Sequence, residues 1–287
     1  MPRFHHILFP VDFSSRCRSV RPFVKSMAER FHSKLTLMHV VQIPPGWYGG
    51  IDGGYQVTLD IPSMEESARD ELENFFESSP IVPDKVVQLG DPAFEITTFA
   101  EQNQVDLIMM PTHGYGRFRN LLLGSVTAKV LHDAKCFVWT ATHTDSPDLA
   151  KHSQCKNIMG AVDLTPVSAV LIRHYSELAH DFNAKLRLVH AVPGASSDIP
   201  YGQERDFQAF LLQSARQEAA KLQAEAGTDF ELCMEAGSVP DVVRAAAEHH
   251  DADLILIGRN TLQGRLGQLR TNAYAIIRDA PCPVLSV

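Results

Sequence analysis

The chain has 287 residues, which suggests two domains, each long enough to form its own hydrophobic core. With 45% hydrophobic and 21% charged residues, its composition is that of an ordinary globular protein. A formal net charge of −8 argues against a broad nucleic-acid surface or an anionic membrane as a partner, and no stretch approaches the roughly 18 apolar residues of a membrane span.

The first half alternates short apolar runs with longer helical patterns. The runs are partly β-branched, as is typical of buried parallel strands. Ser63 precedes Glu65 and Glu66, which predicts a helix start with acidic residues in its first turn. The predicted strands span 5–11, 35–41, 84–89, 106–111 and 136–140, and the predicted helices lie near 15–32, 63–78, 92–103 and 124–133.

The second half repeats the first. ILFPVD at 7–12 resembles IMGAVD at 158–163, and LTLMHV at 35–40 resembles LRLVHA at 186–191 with the same offset. Further matches follow in the same order, ending with DAKC at 133–136 and DAPC at 279–282. Matches that keep their order over almost the whole of each half indicate an internal duplication.

The order of elements in each half, βαβαβαβαβ, predicts an α/β protein with two tandem, doubly wound, five-stranded parallel-sheet domains. We place them at 1–143 and 154–287, joined by a polar, aperiodic segment near 141–156. The short join predicts that the two domains pack as an internal pseudo-dimer, and independent domains on a string are the alternative. Sheets of this kind bind ligands outside the carboxyl ends of their strands.

A glycine-containing loop follows the fourth strand and precedes a helix. Glycine lets a backbone approach a ligand closely, and the free N–H groups and dipole of a helix start attract anions. Ser125 either donates its hydroxyl hydrogen to a phosphate oxygen or caps its helix, and the local sequence by itself favours neither role. Arg117 either neutralises phosphate or is a solvated loop residue, and His113 either hydrogen-bonds a phosphate or stabilises the turn.

This loop resembles that of the universal stress protein family. ATP-binding members carry Gly, two residues, Gly, nine residues, then Gly followed by Ser or Thr. Gly114, nine residues, Gly124 and Ser125 match this pattern, and Pro111 stands at the first glycine. The resemblance covers both halves, so the chain is similar to a tandem universal stress protein with a Rossmann-like, HUP-type fold.

The resemblance implies an adenine-nucleotide site in the first domain. Asp12 would lie near the adenosine, the backbone of Val40 would recognise adenine, and the glycine loop would hold the ribose and phosphates. Pro111 has no N–H to donate, although a carbonyl contact could survive. The expected binding residues are Asp12, Val40, Pro111, His113, Gly114, Arg117, Gly124, Ser125 and Val126.

The second copy has lost most of this loop. Thr261 stands at the second glycine, and Arg270 and Thr271 replace Gly124 and Ser125. Arginine could fill the phosphate space or bind a smaller anion. The weaker candidates here are Asp163, Ala191, Gly258 and Thr271, and a scaffold copy without a ligand is the alternative.

Other features predict no catalysis and no metal. The 13 histidines include no HExxH motif or Cys–His ligand spacing, and no nucleophile triad or pair of catalytic carboxylates is evident. The glycine-rich segment 44–55 is either a lid over the ligand or an insertion. The family resemblance also implies that the last strands, 137–140 and 284–287, meet within the chain.

The absence of a signal-peptide pattern and five scattered cysteines without a CxxC pair predict a cytoplasmic protein with free thiols. Cys136 and Cys282 are expected to be small apolar residues of buried strands. We expect a stress-response protein that binds ATP, with or without Mg²⁺, as a regulatory ligand. The alternative is a nucleotide-free module for protein partners, and ATP hydrolysis is a third hypothesis. Further homodimerisation is compatible with either of the first two.

Overall fold

The structure is a computed structural model that describes residues 4–43, 60–76, 81–113, 123–141, 155–194, 204–259 and 268–287. The chain divides into two compact units, Met1–Trp139 and Thr140–Val287. The predicted join lies mostly outside the described residues, as does the glycine-rich segment 44–55.

The first unit is a parallel sheet with helices between its strands, as the sequence predicts. Its strand order is β3-β2-β1-β4-β5, and β1 pairs in parallel with both β2 and β4. Strands β2 and β3 therefore lie on one side of β1, and β4 and β5 lie on the other. The boundary between β1 and β4 is the topological switch point, where folds of this kind bind their ligands. The elements are β1 His6–Pro10, α1 Ser15–Phe31, β2 Lys34–Val41, α2 Ile61–Glu73, β3 Asp84–Leu89, α3 Pro92–Gln102, β4 Leu107–Met110, α4 Ser125–Asp133 and β5 Phe137–Thr140.

The second unit repeats this architecture. Its strand order is β8-β7-β6-β9-β10, with β6 in parallel register with β7 and β9. The elements are β6 Asn157–Ala161, α5 Ser168–Phe182, β7 Lys185–Val192, α6 Glu204–Ala226, β8 Leu232–Ala236, α7 Val239–His249, β9 Leu254–Ile257, α8 Gln268–Asp279 and β10 Val284–Ser286.

Equivalent side chains tie the amino ends of the sheet strands in both copies. The Oδ2 atom of Asp106 accepts hydrogen bonds from the backbone N–H groups of His5 and His6, at 2.7 and 2.9 Å. Asp253 accepts the corresponding pair from Lys156 and Asn157, at 2.7 and 2.9 Å. The duplication read from the sequence is thus preserved in the hydrogen bonding of the fold.

The helix after β2 begins earlier than predicted. Asp60 is the N-cap of α2, because its side chain accepts a hydrogen bond from the backbone N–H of Ser63 at 3.2 Å. Pro62 occupies the first turn, where its missing N–H leaves no bond unmade. The predicted start at Ser63 was therefore wrong, and so was the predicted end at 78, since α2 ends at Glu73.

The sheet strands form the core of each unit. All residues of β1, β4 and β9 are buried, as continuous apolar runs in a parallel sheet should be. Cys282 is 0% exposed just before β10, whereas Cys136, just before β5, is only partly buried. Both cysteines were expected to be buried residues within strands. Cys282 is buried and Cys136 is not, and both lie just outside their strands.

No described helix is both long enough and apolar enough to cross a membrane.

Candidate functional site

A cleft of about 470 Å³ opens at the carboxyl ends of β1, β2 and β4 in the first unit. This volume lies within the range of about 300–1,000 Å³ that small-molecule sites occupy. The strand ends supply Pro10–Asp12, Met38–Val40 and Met110–Pro111, and the start of α4 supplies the opposite wall. The cleft therefore sits at the switch point of the sheet, where a doubly wound fold places its ligand.

The structure brings most of the predicted first-domain residues into this one cleft. Gly114 and Arg117 lie outside the described residues, so their positions are not tested. The predicted residues that line the cleft are Asp12, Val40, Pro111, His113, Gly124, Ser125 and Val126.

Asp12 is held at the end of β1 by a local turn. Its Oδ1 atom accepts hydrogen bonds from the backbone N–H of Ser14 at 3.0 Å and from the Ser14 hydroxyl at 2.6 Å. Phe13 between them has φ 61, a left-handed conformation that is strained for a bulky residue. The chain thus turns away sharply after Asp12, and the carboxylate remains half-buried at the cleft wall.

His39 is a cleft residue that the sequence analysis missed. Its Nδ1 atom lies 2.7 Å from the carbonyl oxygen of Val11, and its ring lies 4.6 Å from that of Phe13. His190 makes the equivalent contact to Val162 at 2.8 Å. The signal was present, since a histidine occupies the same place in both copies of the repeat, but the pattern gave no indication of its contact.

The other end of the cleft is formed where β4 leads to α4. The backbone N–H of Gly124 donates to the carbonyl of Thr112 at 3.0 Å. A Cβ added to Gly124 would lie 3.1 Å from that same carbonyl oxygen and 3.4 Å from Cα of His113. Only glycine fits here without displacing backbone, because contacts this short are tighter than ordinary van der Waals packing.

Ser125 and Thr127 have different surroundings within the first turn of α4. Ser125 is exposed and is the first helical residue; Gly124, not Ser125, is the N-cap. The interpretation that Ser125 caps its helix was therefore wrong. Thr127 is buried, and its hydroxyl donates to the carbonyl of Pro111 at 3.1 Å.

His113 and the α3 helix complete the walls. His113 is 6% exposed and lies between Pro111 and the described start of the α4 segment. Pro92 and Ile96 of α3 contribute an apolar wall that the sequence did not predict, because it depends on how α3 packs over the sheet.

The second unit has a smaller pocket in the corresponding place, with a volume of about 140 Å³. Of its predicted residues, Asp163, Ala191 and Gly258 line the pocket. Thr271 lies near the start of α8, and its side chain is outside the described residues. A Cβ added at Gly258 would lie 2.7 Å from Cδ2 of Leu171, another residue that lines the pocket, so a side chain here would need Leu171 to move.

Among the described residues, no group of three or more His, Cys, Asp or Glu side chains is arranged to hold a metal ion. The Cys233 thiol lies 3.1 Å from Nε2 of His250, outside both pockets. Burial raises the pKa of Cys233 and lowers that of His250, because it disfavours the charged form of each group.

Comparison with known families gives a consistent assignment. The sequence model of the universal stress protein family matches residues 3–141 and again 154–287. Universal stress protein A homolog 1 of Coxiella burnetii is 32% identical over 139 residues, which are 46% of this chain and 95% of that protein. A universal stress protein of Methanocaldococcus jannaschii is 26% identical over 134 residues, which are 46% of this chain and 79% of that protein.

Solved structures share the fold along the whole chain. A universal stress protein from Archaeoglobus fulgidus superimposes with a TM-score of 0.66 at 20% identity, covering 98% of this chain and 95% of its own. A Pseudomonas aeruginosa protein described as functionally unknown gives a TM-score of 0.61 at 17% identity, covering 99% and 92%.

Proposed function

Because the chain belongs to the universal stress protein family, with one domain in each half, we propose that its first domain binds ATP or a related adenine nucleotide as a regulatory ligand. The single observation that carries the proposal is the cleft of about 470 Å³, which gathers the predicted base-binding and phosphate-binding residues at one edge of the sheet. Asp12 and Val40 would bind the adenosine end, and Gly124 and Ser125 the phosphate end.

The phosphate end has the chemistry that an anion needs. Gly124 brings the backbone close without a side chain, and α4 begins at the cleft with its first N–H groups unpaired within the helix. The exposed hydroxyl of Ser125 is placed to donate to a phosphate oxygen. Together these features support a nucleotide with at least one phosphate.

Pro111 changes one part of the expected site. It cannot donate a backbone N–H, and its carbonyl already accepts a hydrogen bond from Thr127 at 3.1 Å. Pro111 thus stands where the family pattern has its first glycine, and it forms part of the cleft wall without offering a phosphate a backbone N–H. We expect weaker nucleotide affinity than an intact loop would give.

Regulation fits the site better than turnover does. The sequence shows no obvious pattern of a general base or of a metal-anchoring pair, and any Mg²⁺ would arrive with the nucleotide. None of the five cysteines, all of which lie in the described ranges, forms a disulfide, and this supports a cytoplasmic location as part of this proposal.

The test is calorimetric titration of ATP into the purified chain, with and without Mg²⁺, for wild type and Gly124→Arg. Wild type should show saturable binding, and Gly124→Arg should lose it because the arginine fills the phosphate end. Gly194→Arg is the matched control, since a Cβ added there meets nothing within 4 Å.

If wild type shows no binding, or Gly124→Arg binds as well as wild type, the nucleotide-free interaction module becomes the better account. Melting curves of both variants would show whether a loss of binding reflects a loss of fold. Turnover of ATP that Ser125→Ala abolishes would instead support an enzyme.

A further inference from the structure

An ion pair joins α3 to α4 beside the first cleft. Nζ of Lys129 lies 3.1 Å from Oδ1 of Asp91. Asp91 immediately precedes Pro92, which lines the cleft. Lys129 follows the cleft residue Ser125 by four positions, and residues four apart lie on the same face of a helix. The pair therefore stands at the rim of the cleft, on the face of α4 that carries Ser125.

Asp91 is held by two donors, one fixed and one mobile. Its Oδ1 atom also accepts a hydrogen bond from the backbone N–H of Phe94 at 3.0 Å, which makes Asp91 the N-cap of α3. This bond, and after it the bond from Lys129, holds the pKa of Asp91 below its ordinary value. The Lys129 side chain is 57% exposed on a flexible four-carbon stem, so it can leave Asp91 without disturbing either helix.

The second copy of the fold has neither member of this ion pair. Ser238 takes the place of Asp91, after a glycine in each copy, and its hydroxyl caps α7. Ala275 takes the place of Lys129, since each lies four residues before the matching segments DAKC and DAPC. A neutral side chain is thus enough to cap this helix. The two charges accompany the copy with the larger cleft and are not required by the fold.

The described lining of the first cleft carries no cation of its own, since none of these residues is a lysine or an arginine. A cation that neutralises a phosphate at Ser125 has to reach in from outside this lining. Lys129 is close enough, because Cβ atoms four residues apart on a helix are about 5–6 Å from one another and the lysine stem is long. Its exposed bond to Asp91 is weak, whereas a phosphate is a strong partner for an ammonium group.

We propose that Lys129 is a specificity-determining residue that exchanges Asp91 for the phosphates of a bound nucleotide, so that Asp91 and the ligand compete for one ammonium group. This inference rests on the nucleotide binding proposed for the first domain. Lys129 then adds affinity only for phosphorylated ligands, and Asp91 lowers that affinity. The pair sets how strongly the cleft prefers a nucleotide to its unphosphorylated nucleoside.

The experiment measures binding of ATP and of adenosine to the full chain by calorimetry at low salt. Lys129→Gln should weaken ATP binding about fivefold, because an exposed charge contact is lost. Asp91→Asn should strengthen ATP binding about threefold, because asparagine still caps α3 but releases Lys129. The variant with both substitutions should lose this gain. Adenosine, which has no phosphate, should bind wild type and all three variants equally.

The matched control is the ion pair of Lys135 with Glu101, which lies at the other ends of the same two helices. Lys135→Gln and Glu101→Gln should bind ATP as wild type does. If Asp91→Asn lowers the melting temperature, Asp91→Ser replaces it, since serine caps the equivalent helix α7.

A purely structural role for the rim pair would weaken ATP binding in both single variants or in neither, and either result overturns the proposal. Equal losses of ATP and adenosine binding in Lys129→Gln would also overturn it. Wild type that binds no ATP would instead refute the proposed function, and the competition with it. Wild type that binds ATP while both variants match it refutes the competition alone.

Discussion

Two hydroxyl side chains that lie two residues apart in α4 show how the cleft divides its residues between fold and ligand. Thr127 is 3% exposed and bonds the carbonyl of Pro111, so it fixes the start of α4 against the end of β4. Ser125 is exposed in the cleft and does not act as the helix cap. The stability of the fold should therefore depend on Thr127, and ligand affinity on Ser125.

We expect Ser125→Ala to leave the melting temperature unchanged and to weaken ATP binding by at least about tenfold, because a hydrogen bond to a charged phosphate is worth about 1.5–3 kcal/mol. Thr127→Val should instead lower the free energy of unfolding by about 1 kcal/mol, since it leaves the Pro111 carbonyl without its donor. Urea denaturation and ATP titration of both variants measure the two effects. A drop in stability for Ser125→Ala without a loss of affinity would assign that hydroxyl to the fold.

At the scale of elements, the central strand β1 is tied to its neighbours by a buried histidine. Nε2 of His6 lies 2.8 Å from the hydroxyl of Thr36 on β2, and Nδ1 lies 3.0 Å from the carbonyl of Asn103 at the end of α3. Burial lowers the pKa of His6, and the nearby charge of Lys34 acts in the same direction. The hydrogen bond to Asn103 and the negative charges of Asp106 and Asp84 oppose this shift without cancelling it.

The lowered pKa of His6 makes stability depend on pH. Between the folded pKa and the ordinary value of 6.5, the unfolded chain binds a proton that the folded chain does not, so stability falls as pH drops below about 6.5. His6→Gln should lose about 1 kcal/mol near neutral pH, where the wild-type hydrogen bonds are intact. Its stability should then fall less than that of wild type on acidification.

Urea unfolding of both proteins at about pH 7.5 and pH 5.5 tests this, since the difference between them should narrow in acid. Lys34→Met is the control, because it keeps His6 and removes only the charge of Lys34, which lowers the pKa of His6 less than burial does. Its pH dependence of stability should therefore remain close to that of wild type. A constant difference across this range would mean that His6 does not titrate differently in the folded chain.

The elements themselves were largely predictable, and their contacts were not. Strands such as β4 were recognisable because a buried parallel strand is a continuous apolar run, which the sequence displays directly. The start of α2 differs from the predicted start at Ser63 because Asp60 caps the helix and Pro62 fits its first turn, both ahead of the acidic residues that follow Ser63. The residues His39 and Ile96 escaped prediction since their place in the cleft depends on tertiary packing.

At the scale of the whole molecule, duplication has produced two clefts of unequal capacity. The first has a volume of about 470 Å³, and the second about 140 Å³. Leu171 and Gly258 both line the second, where a Cβ added to Gly258 would lie 2.7 Å from Cδ2 of Leu171. The family resemblance also predicts that the two last strands meet within the chain, and that pairing stays a prediction.

Unequal clefts predict that one chain binds one ATP, not two. Equilibrium dialysis with ATP should give a stoichiometry near one per chain for wild type and near zero for Gly124→Arg, since this substitution gives the first loop the residue that the second copy carries at Arg270. Two equivalent sites would give a stoichiometry near two and leave about half of it in the variant. The amount of ATP that the Gly124→Arg variant still binds per chain therefore reports how much of the nucleotide site the second copy retains. This measure does not depend on the affinity of the first site for ATP.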